Sequence, residues 1–427
     1  MAALARLVPV LLACGGWSAC ALCGAELRGG RASVKLLPPP GLLLAGEEKP
    51  GPADGIHDDL MVKALVLDSG DTRVALVLCD LYSVDPPLVA AARKAIGSGV
   101  PGFGGSGAGA FVLVAATGTR SGPVLAPGSA FRGAVIARIA DAVRQAAAAL
   151  QPVSLAFGWG TDSSTAFYNR FLLKDGTVRS NPGKLNPEVV QPVGEADPDL
   201  ALLRVDASPG QQPLAIIGSY SLRAAVTGGS RYSADYPGTV AQILSKLYAP
   251  ELVTLWSTGA GGNVSHVDVH RKAAQAGAAE ARRVGMILAG EALKASARAA
   301  TMTAPPKLLT GRDVVKLQGR AGTANPSLPC PAEAEVSAVG LGDDAAVVSV
   351  PGELWSELGS AIRKASPYPN TLLIGSANGW AGILPSRRGY SDATLEWDVR
   401  CAAGSGEAIA ESATRLLADL KRRTALR

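Results

Sequence analysis

The side chains best suited to acid–base or metal chemistry are scarce in this chain. Histidine occurs three times in 427 residues, at His57, His266 and His270. Two of these stand in His266-Val-Asp-Val-His270, where strand-like alternation would set both imidazoles and the Asp268 carboxylate on one face. A metal site there lacks a further ligand, so a solvated loop is the plainer expectation. His57, in Gly-Ile-His-Asp-Asp, is expected to cap a turn. A second candidate is the loop Ala-Ala-Thr-Gly-Thr-Arg-Ser-Gly-Pro, Ala115 to Pro123. It follows an apolar run and so lies at an exposed strand end, where ligands and catalytic groups usually sit. Yet it offers two threonines, a serine, a glycine and Arg120, with no base, thiolate or metal ligand. The glycine-rich stretch Val100 to Ala110 precedes a strand and lacks the Lys-Ser/Thr ending of a phosphate loop, so it reads as a connector.

β and α patterns alternate from about residue 31 and must position these groups. Lys63 to Ser69 and Arg73 to Leu81 read as neighbouring strands joined by the turn Ser69 to Thr72. Phe131 to Leu150 reads as a helix with Val135, Ile139, Val143 and Leu150 on one face. Strands are expected at Val153–Gly160, Leu200–Asp206, Leu214–Tyr220 and Leu252–Thr258. Pro237 suits the first turn of a helix with the stripe Val240, Ile243, Leu244 and Leu247. Further helices are expected over Arg271 to Ala299 (the longest), Glu353 to Lys364 and Gly406 to Arg423. The economical reading is one α/β domain over residues 31–427, with mixed sheets flanked by helices.

Composition narrows the function classes. Hydrophobic residues make up 48% and charged residues 18%, which fits a packed globular chain rather than a disordered one. A net charge of +5 without a dense basic stripe argues against nucleic acid as a partner. Residues 1–25 read as an export signal: Arg6 in a short n-region, then an apolar run. Leu11 to Cys14 matches a bacterial lipobox, implying lipidation at Cys14 and a periplasmic or outer-surface lipoprotein; cleavage after Ala25 is the competing site. Cys79 falls in a strand-like run as a buried thiol. Cys330 and Cys401 could pair in an oxidising compartment, which the sequence leaves open.

Six segments, in order, carry a resemblance to a known family. They are Gly55 to Leu81, Phe167 to Gly183 with its Asn-Arg and Asn-Pro-Gly, Tyr-Ser-Ala-Asp-Tyr-Pro-Gly at Tyr232 to Gly238, Gly-Ala-Gly-Gly-Asn-Val-Ser at Gly259 to Ser265, Pro351-Gly-Glu353, and Ala-Asn-Gly-Trp-Ala-Gly-Ile at Ala377 to Ile383. Together they resemble the catalytic domain of the neutral/alkaline non-lysosomal ceramidases, zinc amidases that cleave the N-acyl bond of ceramide. The resemblance spans most of residues 31–420, and the additional C-terminal β-sandwich of some members is not expected.

That resemblance implies a metal site whose ligands are replaced. The family's Thr-His-Thr-His-Ser-Gly-Pro is here Thr117-Gly118-Thr119-Arg120-Ser121-Gly122-Pro123. Arg223 stands at the place of a second histidine ligand, and Trp380 and Ile383 at the places of two tyrosines; Glu353 alone persists. Catalytic zinc needs three protein ligands, and an arginine about 4 Å from a divalent cation is repelled by roughly 8 kcal/mol at an effective dielectric near 20. No metal and no cofactor are therefore expected. Ser265 aligns with the family's catalytic serine, though as a residue it reads equally as a turn serine. Arg120, Asn169, Arg170, Arg223, Glu353 and Trp380 are the residues expected to line the old pocket, with a Glu353–Arg223 ion pair in place of the metal. The implied function is an exported, zinc-less and catalytically degenerate homologue binding a lipid or anionic ligand. Two alternatives are a zinc-independent amide or ester hydrolase using Ser265, and a structural surface lipoprotein.

Overall fold

The computed structural model describes residues 26–426 except 105–109, 209–211, 303–305, 322–328 and 392–394. The expected leader with Cys14, and the centre of the glycine-rich connector, lie outside the described residues.

Two sheets face each other. The larger is nine-stranded, and its main path runs Val253–Ser257, Pro213–Tyr220, Asp199–Ala207, Gln151–Thr161, Arg28–Leu36, Leu60–Asp68, Arg73–Cys79, Ala110–Ala116. The smaller runs Leu308–Lys316, Glu333–Leu341, Ala345–Ser349, Asn370–Ile374. Leu65, Leu67, Leu76, Leu113, Ile217 and Leu255 of the first meet Val339, Val347 and Leu372 of the second in one apolar layer. Helices cover the outer faces: Pro86–Gly99 and Ala130–Ala148 on one half of the large sheet, Asp235–Leu247 and Ala278–Ala297 on the other. Ser356–Ala365 and Ser405–Ala425 cover the small sheet. Strands buried on both faces explain the continuous apolar runs of the sequence. The architecture is the expected α/β fold with mixed sheets between helices.

Within these two sheets most neighbouring strands are antiparallel, but three pairs are parallel: Arg73–Cys79 with Ala110–Ala116, Pro213–Tyr220 with Val253–Ser257, and Ala345–Ser349 with Asn370–Ile374. Each pair is joined through a helix, the crossover that parallel pairing requires. The three β-α-β units meet at the carboxyl ends of their strands. Ala116 N–H donates to Ser376 O, Gly375 N–H to Ser257 Oγ, and Ser219 Oγ to Leu373 O. Six loops thus open toward one region, the place where ligands bind in α/β sheets.

Several boundaries differ from the sequence reading. The helix expected from Arg271 starts at Ala278, because Gly277 at φ 103° lies outside the helical region. At 20 residues it is shorter than the 21-residue Ser405–Ala425. The helix expected from Glu353 starts at Ser356, because Glu353–Leu354 instead pairs in parallel with Ile383–Leu384. Leu247 is exposed rather than part of the buried stripe, and Leu150 lies just past its helix.

Cys330 and Cys401 form a disulfide with Cα atoms 5.0 Å apart, across a sequence separation of 71 residues. It fixes the last loop before the final helix. Closing a loop of that length is worth roughly 4 kcal/mol in the chain-entropy account. Reduction is therefore expected to lower unfolding stability by about that amount, read from urea titrations with and without reductant; unchanged stability would contradict it.

Candidate functional site

The loops at the carboxyl ends of the three parallel pairs supply the side chains. Tyr82 follows Cys79, Gly118 and Arg120 follow Ala116, and Arg223 follows Tyr220. Gly262 follows Ser257, Glu353 follows Ser349, and Trp380 follows Ile374. The backbone here is crowded. A Cβ on Gly262 would lie 2.4 Å from the Glu353 carbonyl, so only glycine fits. A Cβ on Gly118, at φ 77°, would stand 3.7 Å from Glu353 Oε1 and 3.5 Å from Thr258 Oγ1, so position 118 still faces the carboxylate.

Arg223 is the centre of the cluster and is buried. Its Nη1 donates to Glu396 Oε2 at 2.7 Å, its Nη2 donates to the Gly262 carbonyl, and its Nε lies 3.1 Å from Glu353 Oε2. The first contact is a hydrogen-bonded ion pair. The last is an ion-pair contact without hydrogen-bond alignment, since Arg223 Nε and Glu353 Oε2 are both left without a hydrogen-bond partner. The Glu353–Arg223 pair expected from sequence is therefore present in distance, but Glu396 holds the better-aligned contact. Glu396 also accepts from Asn169 Nδ2 at 3.0 Å. Beside it, Tyr82 Oη donates to Asp398 Oδ2 at 2.6 Å, and Arg400 Nε pairs with the other oxygen of Asp398. Trp380 packs edge-on against Tyr82 at 4.9 Å.

The electrostatics follow from this asymmetry. Burial pulls the Arg223 guanidinium down, but Glu396 and then Glu353 outweigh it and keep it charged. Burial pushes Glu396 up, and Arg223, by charge and hydrogen bond, brings it below the ordinary carboxylate range. Burial also pushes Glu353 up, and there the unaligned Arg223 and the more distant Arg120 fail to compensate, leaving it above that range. Arg223 is thus shared between one carboxylate held below the ordinary range and one held above it.

Not all expected residues converge. Arg120 joins the cluster, within electrostatic reach of Tyr82, Glu353 and Glu396. Asn169 and Trp380 join it through Glu396 and Tyr82. Arg170 does not: it lies over the Trp355 ring at 4.7 Å and donates to Ser180 Oγ at 2.7 Å. Ser265 Oγ accepts from Val267 N–H at 3.1 Å, the posture of a turn serine. His266 to His270 is not extended, because Asp268 Oδ1 accepts the His270 N–H in a turn. This leaves His266 buried and His270 exposed, so the two imidazoles do not share a face. His57 is exposed, and its N–H donates to the Tyr232 carbonyl. Glu396 and Asp398 escaped the sequence reading, since no motif marks them and they reach the site only by folding back from beyond residue 390.

The donor set does not fit a zinc ion. Glu353 faces a guanidinium at 3.1 Å where a second ligand would have to be, and positions 118, 120 and 380 offer no imidazole, thiolate or phenolate. No group of three or more His, Cys, Asp or Glu side chains able to hold a metal occurs among the described residues. A cavity of about 1230 Å³ lies elsewhere, lined by Asp58, Lys63, Asp80, Asp235 and Arg282 among others, and by neither Arg223 nor Glu353.

The fold is similar to that of the neutral ceramidase from Pseudomonas aeruginosa, with a TM-score of 0.75 and 15% sequence identity over 93% of this chain and 75% of that one. A ceramidase complexed with C2 matches with the same TM-score and identity, over 93% and 76% of the two chains. No protein-family model matches the chain, and no curated protein matches its sequence. The chain has a divergent ceramidase-like fold.

The raised Glu353 carboxyl has a signed consequence. An unfolded glutamate ionises near its ordinary value of about 4.3, whereas folded Glu353 holds its proton to higher pH. Between those values the folded chain binds more protons, so this residue's contribution to stability falls as pH rises. Glu353→Gln removes the titration. The stability of the wild type minus that of the variant, from urea unfolding, is expected to fall as pH rises from about 4.5 and then level off. A difference that grew with pH would contradict the assignment.

Proposed function

We propose that this protein is a zinc-less, non-hydrolytic ceramidase-like protein that uses the old site to bind a ligand with an acidic or lipid head. The observation that carries the reading is Arg223 Nε at 3.1 Å from Glu353 Oε2, with Glu396 on the other side of the same guanidinium. A buried cation there replaces the Lewis acid that a zinc amidase would need, and no residue of the cluster substitutes for it. The hydrolase reading through Ser265 gains no support from a hydroxyl engaged with Val267. Export is part of the proposal: the leader pattern suggests it, and the Cys330–Cys401 bond is of the kind that persists in oxidising compartments.

Two measurements on the purified mature protein test this together. Elemental analysis is expected to give no stoichiometric zinc, and incubation with ceramide no release of fatty acid. One zinc per chain surviving dialysis against a weak chelator, or ceramide hydrolysis abolished by Ser265→Ala, would overturn the proposal.

A further inference from the structure

Arg120 is held in place but only partly used. Its backbone N–H donates to the Ala224 carbonyl at 3.0 Å, and its Nη1 donates to the Gly46 carbonyl at 3.0 Å. Gly46, at φ 91°, packs so closely on the arginine stem that a Cβ there would lie 2.8 Å from Arg120 Cγ. These contacts orient the guanidinium plane. The remaining edge, Nε–H and Nη2–H, is buried and has no hydrogen-bond partner. That edge is the side-on fork of arginine, two parallel donors spaced for both oxygens of one carboxylate. Burying donors without partners is costly, so a fixed fork that finds no acceptor within the protein is unusual unless a ligand supplies one. The indole Nε1–H of Trp380, whose ring packs on Tyr82, is likewise buried and unpartnered.

The surroundings select the charge of the occupant. Among the described residues no carboxylate is in ion-pair contact with Arg120, whereas Arg223 serves Glu396 and Glu353, and Arg400 serves Asp398. Arg223 and Arg400 are thus matched within the cluster, which leaves the Arg120 charge without a paired anion. A monoanion balances it. A dianion would bring a second negative charge toward Glu396 and Asp398. The Tyr82 ring, within electrostatic reach of Arg120, and the Trp380 ring packed edge to face on it supply apolar surface in the same cluster.

We infer that the Arg120 fork is the receptor for a monoanionic carboxylate borne on an apolar body, gripped side-on by Nε–H and Nη2–H. This rests on the proposed non-hydrolytic reading and names the ligand class of that same site.

Octanoate is the probe, with inorganic phosphate as the comparison. Calorimetric titration of the full mature chain is expected to show octanoate binding more tightly than phosphate. Arg120→Gln and Arg120→Lys should each weaken octanoate by about tenfold or more, or about 1.4 kcal/mol, since lysine keeps the charge but not the fork. Circular dichroism and melting curves establish that the variants fold. On the unmodified protein, the Arg120 Nε–H resonance should shift on adding octanoate, so the inference can be read even if both variants fail to fold. Equal affinity of wild type and Arg120→Gln, tighter binding of phosphate, or an unmoved resonance with no octanoate binding (a fork filled by water alone) would each overturn it. Ceramide hydrolysis by the wild type would overturn the non-hydrolytic reading instead, and leaves the octanoate titration to be judged separately.

Discussion

A buried guanidinium cannot be left without anions, and that constraint at Arg223 organises the site. Removing a charge of this size from water costs several kcal/mol even after relaxation, and only aligned carboxylates and hydrogen bonds offset it. Glu396, Glu353 and the Gly262 carbonyl together surround the group. Arg223 and Gly262 follow strands of one β-α-β unit, Glu353 belongs to another, and Glu396 comes from the loop before the last helix, so the arginine can be satisfied only when those two units and that loop are in place.

The loop that delivers Glu396 is itself held firmly. Asp398 receives Tyr82 and Arg400, Ile383 N–H donates to the Asp398 carbonyl, Arg320 N–H donates to the Arg400 carbonyl, and Cys401 is bonded to Cys330. These contacts are hydrogen bonds, ion pairs and one disulfide. The interior of the two sheets is equally indifferent to the site, because it consists of apolar layers between strands and helices. A fold built this way can keep its shape at 15% identity to a ceramidase while the groups at the strand ends change. The shared fold places loops at the strand ends, and Gly118, Arg120, Arg223 and Trp380 stand there in this chain.

The hairpin Lys63–Leu81, the helix after Phe131 and the strands leading to Thr258 were legible because their apolar patterns match their burial along the whole element. The ends of helices were less so. Gly277 stops a helix that the apolar pattern would continue, and Glu353 belongs to a two-residue bridge whose partner at Ile383 lies 30 positions away. That Gly118, Arg120 and Arg223 stand where the resembled family has histidines is an expectation that the motif resemblance alone supplies. What was not legible is that Arg170 turns to Trp355 and that Glu396 takes the stronger half of Arg223. Those outcomes depend on how loops pack in three dimensions, and neither residue type nor spacing encodes them.

The claim that this guanidinium–carboxylate contact holds the site together is tested most directly by a double-mutant cycle between Arg223→Met and Glu396→Gln, read by urea unfolding at neutral pH. A hydrogen-bonded buried pair predicts strongly non-additive losses, with a coupling of about 2 kcal/mol or more. Additive losses, with a coupling near zero, would mean that Arg223 and Glu396 merely lie side by side, and the account would be wrong.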